Sequence, residues 1–99
     1  MKERTIFYLK FYKLIDKIRP GVGARISVWI EEDPSFLTPC EFIEVVKERD
    51  FYNIGIILFD VERFSSERNI GKKFFFGPPS HEIGYGILEK IQPVKKTDV

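Results

Sequence analysis

The chain is poor in the residues that carry most side-chain chemistry. Its 99 residues contain one cysteine, Cys40, and one histidine, His81. A lone thiol excludes an internal disulfide, and small secreted domains usually carry several cysteines. One Cys and one His cannot assemble a structural zinc site. No apolar run approaches the roughly 18 residues that a membrane-spanning helix needs. Met1-Lys2-Glu3-Arg4 leads into alternating residues instead of the apolar block of a signal peptide. These absences point to a cytoplasmic protein with no membrane partner.

Motifs for common reactions are also missing. There is no G-x-x-x-x-G-K-[ST] phosphate loop. Gly84 and Gly86 lie inside an apolar run, not between a strand and a helix, so they form no dinucleotide fingerprint. Glu31-Glu32-Asp33 lacks the alternating ligands and central glycine of a calcium loop. Ser80-His81-Glu82 contains the residue types of a triad, but adjacent residues cannot converge on one another. Cys40 would need His81 beside it to act as a nucleophile; a buried core role is the ordinary one for a free cysteine. The expectation is a protein that is not an enzyme, without catalytic residues, metal or cofactor.

What is abundant is aromatic and charged. Ten Phe and four Tyr contribute to an aromatic content of 15%, beside 31% charged residues. Residues 1–25 hold seven Lys/Arg against two Asp/Glu, a balance of +5. Residues 26–62 hold two against nine, and residues 63–99 seven against four. Both ends are therefore basic and the middle acidic, a pattern that can mark charged interfaces.

Alternation of apolar and polar residues identifies strands. In residues 5–12, Phe7, Leu9 and Phe11 share one face, and Ile6, Tyr8, Lys10 and Tyr12 the other. A turn follows at 19–23. In residues 24–31, Ala24, Ile26, Val28 and Ile30 face Arg25, Ser27, Trp29 and Glu31 across the pleat. Residues 53–61 read as a strand buried on both faces, with Gly55 marking a bulge or a close backbone approach. Short strands at 72–76 and 82–91 follow a polar loop at 62–71, and a change of face suggests a bend near Gly84–Gly86. Residues 38–49 are ambiguous. Thr38-Pro39-Cys40-Glu41 has capping-box spacing, whereas Ile43, Val45 and Val46 are β-branched. The balance favours a short helix at 39–49. The expected fold is mainly β, a small antiparallel barrel of five to six strands over residues 1–92, with a polar, frayed tail at 93–99.

The stretches Asn53–Val61, Ile70-Gly-Lys-Lys-Phe-Phe-Phe76 and Glu82-Ile-Gly-Tyr-Gly-Ile-Leu-Glu-Lys-Ile91 resemble the end of the C-terminal β-barrel of elongation factor Tu-type translation factors. Ala24-Arg-Ile-Ser-Val28 is similar to an earlier strand of that barrel. The resemblance covers about half the chain. It implies a barrel that contacts RNA or protein partners, without the GTPase domain and with an acidic segment at 31–50 in place of central strands.

Candidate partner-binding residues are Trp29, Arg25, Glu31, Glu32, Asp33, Tyr8 and Lys10. Trp29 falls on a polar face, where an exposed indole could anchor a protein or stack a base, although a covering layer such as the 39–49 segment is the more ordinary arrangement for so large a side chain. A protein partner ranks first and RNA second, the latter through Lys10, Lys13, Lys17, Arg19, Lys72 and Lys73. The competing reading is a small immunity protein whose acidic segment neutralises a basic toxin. A small-molecule binder or enzyme with a barrel-mouth pocket ranks third.

Overall fold

Alternating apolar side chains need two faces, one dry and one wet, and a closed barrel supplies both without exposed edges. The computed structural model describes residues 2–96. Six strands, β1 (Lys2–Lys13), β2 (Arg25–Ile30), β3 (Thr38–Lys47), β4 (Tyr52–Leu58), β5 (Lys73–Phe76) and β6 (Gly84–Lys96), form one closed antiparallel barrel. Their order around the barrel is β1-β4-β3-β2-β5-β6. A single helical turn, α1 (Val61–Phe64), and a 3-10 turn at Glu67–Asn69 connect β4 to β5.

The inner face is aromatic. Phe7, Leu9 and Phe11 of β1 are buried against Val28, Phe42, Ile54, Ile56, Phe74, Phe76 and Leu88. The Phe11 ring meets Phe42, Tyr52 and Phe76 edge-on, at 5.9, 6.4 and 5.2 Å between centroids. Such edge-to-face pairs are the preferred aromatic geometry. Room for Phe11 comes from Gly84, where a Cβ would lie 2.4 Å from its ring. Two buried polar side chains tie the β4–β5 connection down. Thr38 accepts a hydrogen bond from the Asp60 amide at 3.1 Å, and the Asn69 amide donates to the Phe64 carbonyl at 3.0 Å.

The structure corrects the helix expected at 39–49, which is strand β3. A bulge at Ile43 pairs Phe42 with Ile56 and Glu44 with Gly55. The inserted residue shifts the pleat by one position, so Phe42 and Val45 both pack toward the core despite their helix-like spacing. Thr38 serves as a buried hydrogen-bond acceptor for the next segment instead of a helix cap. The face change in β6 also has a different origin. Gly84 and Gly86 stay in phase with Leu88 on the inner side, and the bulge lies at Glu89, between Leu9↔Leu88 and Tyr8↔Lys90. The expected frayed tail is paired as far as Lys96, because β1 reaches back to Lys2 and supplies it with partners; residues 97–99 of that tail lie outside the described residues. The strand expected at 53–61 ends at Leu58, and the expected loop 62–71 buries Phe64 and Asn69.

Gly84→Ala is expected to destabilise the fold by about 1–3 kcal/mol, the usual magnitude for overpacking a core. Gly21→Ala, with open space around its Cβ, is expected to be neutral within about 0.5 kcal/mol. Urea unfolding of both variants checks the contrast.

Candidate functional site

Closure of the barrel aligns the outward side chains of four strands. Tyr12 of β1 is the direct partner of Tyr85 of β6, Tyr85 of Phe75 in β5, and Phe75 of Trp29 in β2. The rings follow this register. Tyr12 stacks on Tyr85 with centroids 5.2 Å apart and planes at 19°. Phe75 stacks on Trp29 at 4.7 Å and 24°. Between the two stacks, Tyr85 and Phe75 open at 54°, 6.4 Å apart. At the β4 end, Phe51 and Tyr12 open at 41°, 5.8 Å apart. The result is an unbroken row of five rings across the outside of the barrel.

A second row runs beside the first, two residues along each strand. Lys10 of β1 and Lys73 of β5 flank Ile87 of β6 as its two cross-strand partners. Each ammonium leans over one of the two open ring pairs. Lys73 Nζ is 4.8 Å from the Tyr85 centroid and 5.8 Å from that of Phe75. Lys10 Nζ is 5.2 Å from the Phe51 centroid. A cation over a ring face is attracted by the ring quadrupole. Lys10 also lies 3.6 Å from Glu89, in a pair whose two side chains are about two-fifths exposed. Such pairs exchange partners at little cost.

The residues singled out from sequence distribute unevenly around this band. Lys10 stands in it. Trp29 ends it, but not as an exposed anchor: only 7% of its surface is accessible. The indole is covered, by Phe75 on its face and not by residues 39–49, and its Nε1–H donates to the Gly77 carbonyl at 2.9 Å. Tyr8 lies on the same face of β1, farther along, over Gly55. Partial burial and then the neighbouring Glu44 carboxylate raise its hydroxyl above the ordinary value. Lys90 Nζ lies 5.9 Å from its ring.

Arg25 is held away from the band by Glu41, Nε to Oε1 at 3.1 Å. Glu31, Glu32 and Asp33 form the β2–β3 connection. Glu32 pairs with Lys72 at 3.3 Å, and Asp33 accepts from Ser35 Oγ at 2.8 Å. Of the basic set, Lys13 closes β1, Lys17 and Arg19 are in the β1–β2 connection, and only Lys10 and Lys73 meet the rings.

Sequence reading did not bring Tyr85, Phe75 and Phe51 together with Tyr12. Their alternation was readable, since Lys73 and Phe75 share one face and Phe74 and Phe76 the other. The register that joins four strands into one row was not.

The interior offers less chemistry. A cavity of about 190 Å³ at one barrel mouth is lined by Phe11, Phe42, Ile18, Ile83, Arg19 and Arg25 among others. Its lining holds no carboxylate, imidazole or thiol. Cys40 is 1% exposed, and burial pushes its thiol up to about 12. His81 is exposed in the β5–β6 turn. Among the described residues no three metal-ligating side chains cluster. Comparison with known proteins found no matching family model, curated protein or solved structure.

Two outcomes are expected here. Trp29→Ala should cost about 3–5 kcal/mol of stability, the usual loss for a buried large aromatic, read by thermal or urea unfolding. Cys40 should resist a thiol reagent at pH 8 in the folded protein and react fully in denaturant, since only the thiolate attacks.

Proposed function

We propose that the protein is a non-catalytic binding module whose partner is RNA, engaged through the aromatic and lysine rows on the outside of β1, β6, β5 and β2. The observation that carries this reading is the pairing of the two rows. Bases stack on aromatic rings, and phosphates are neutralised by lysines displaced to one side. Here the rings form one line and Lys10 and Lys73 form a parallel line one pleat repeat away, about 7 Å along the strands.

Cross-strand aromatic pairs also stabilise sheets. That role accounts for the stacked pairs Tyr12–Tyr85 and Phe75–Trp29. It accounts equally for the tilted pairs, Phe51–Tyr12 and Tyr85–Phe75; what it does not require is the ammonium over each of them. These open pairs are where a planar base has a ring face to meet. The resemblance to translation-factor barrels, whose partners include RNA, supports the same class of partner.

The only tryptophan, Trp29, lies at the end of the row and reports on it. Titration with a mixed-sequence single-stranded RNA should change its fluorescence saturably. Tyr85→Ala should weaken binding about tenfold or more, given about 1–3 kcal/mol per stacked base. Lys73→Gln should weaken it less and reduce its dependence on salt. Glu62→Gln, exposed in α1 and outside the two rows, should leave affinity unchanged. Absence of RNA binding, with capture of a protein partner sensitive to the same variants, would replace this reading by a protein-binding one.

A further inference from the structure

Resting on the RNA-binding reading, we propose that the band takes a short unpaired segment of about three nucleotides and excludes duplex. Three features of the surface carry this.

The first is curvature. The rings lie on the convex outside of a closed barrel, in a molecule whose smallest extent is 21 Å. A body of that width cannot enter a major groove about 12 Å wide, and the minor groove is narrower. Bases inside a duplex are stacked on one another and leave no face for the open ring pairs. Only an unpaired strand can lay bases on Tyr85 and Phe75 or on Phe51 and Tyr12.

The second is where the lysine row stops. Beyond Lys73 the next outward position is Glu31 of the β2 end, whose amide donates to the Lys73 carbonyl at 3.1 Å. Beyond Lys10 the next outward position is Asn53 of β4, whose side-chain amide donates to Glu48 Oε2 at 3.0 Å. A polyanion following the row therefore meets a carboxylate at each end. With Lys10 exchanging Glu89 for a phosphate, two lysines between two carboxylates accommodate two phosphates, and two phosphates join three nucleosides.

The third is the spacing of the parts. One ring pair with its lysine repeats twice along the row, separated by the Tyr12–Tyr85 stack. Each unit offers one ring face and one cation, so two bases stack and two phosphates are paired, and the third nucleoside joined by those phosphates has no ring pair of its own. Neither stacking nor phosphate pairing reads a 2′-hydroxyl, so the geometry itself does not separate RNA from DNA.

The test uses the full chain and Trp29 fluorescence or calorimetry. Single-stranded oligonucleotides of two to eight residues, as RNA and as DNA, are compared with a hairpin whose stem carries the same sequence. Affinity is expected to rise up to three or four residues and then change less than about threefold, with the stem bound at least about tenfold more weakly. The salt dependence of the tetramer should have a slope of about −1.4 on logarithmic axes, the value for two phosphates on a single strand. Glu31→Gln with Glu48→Gln should restore an increase of affinity with length, which a merely structural role of these carboxylates would not do. Equal binding of stem and strand, or affinity that climbs steadily to eight residues, would overturn this inference while leaving RNA binding in place. No binding to any oligonucleotide would overturn both.

Discussion

The barrel depends on one fit, that of the Phe11 ring against the bare backbone of Gly84. Phe11 is fully buried and edges onto Phe42, Tyr52 and Phe76, which come from β3, β4 and β5. β1 must at the same time pair with β6 to close the cylinder. Both conditions hold only where β6 presents no side chain inward, at Gly84 and again at Gly86. A shift of one residue would put Tyr85 against Phe11 and turn every side chain of β6 to the opposite face.

That interior constraint also sets the exterior. Once Lys13 is opposite Gly84, Tyr12 is opposite Tyr85. Once Phe76 is opposite Gly84, Phe75 is opposite Tyr85, and Val28 opposite Phe76 brings Trp29 onto Phe75. The ring row is thus a consequence of how the core packs, and the lysine row follows from the same register two residues on. A surface row built on strands in this way is pre-organised, which would lower the entropy lost on binding the proposed flexible strand. The two bulges have a related effect. The one at Glu89 ends the regular β1–β6 pleat just past Lys10 and Ile87, so the rows occupy the regular part of the sheet.

Much of this was legible in the residues. The alternation in β1 separated Phe7, Leu9 and Phe11 from Tyr8, Lys10 and Tyr12, and the structure buries the first set as read. The count of strands and the closed architecture also followed from short alternating runs between Gly/Pro turns. The helix expected at 39–49 failed for a specific reason: a bulge at Ile43 imitates helical spacing by inserting one residue between Phe42 and Val45. The exposure of Trp29 stayed open because a two-residue period assigns a face but not its cover, and its cover, Phe75, is 46 positions away in the chain. The same limit hid the candidate site. Each ring was visible as an outward aromatic, but their union depends on pairings between distant strands that no local pattern encodes.

The most direct measurement is a map of backbone amide shifts in the labelled protein as a short single-stranded RNA is added. The expected result is a continuous set of perturbations across Lys10, Tyr12, Lys73, Phe75, Tyr85 and Ile87, with β3 and the Glu31–Asp33 connection little changed. Perturbations centred on that acidic connection or on the barrel mouth, or none at all, would contradict the assignment of the outer band as the binding surface.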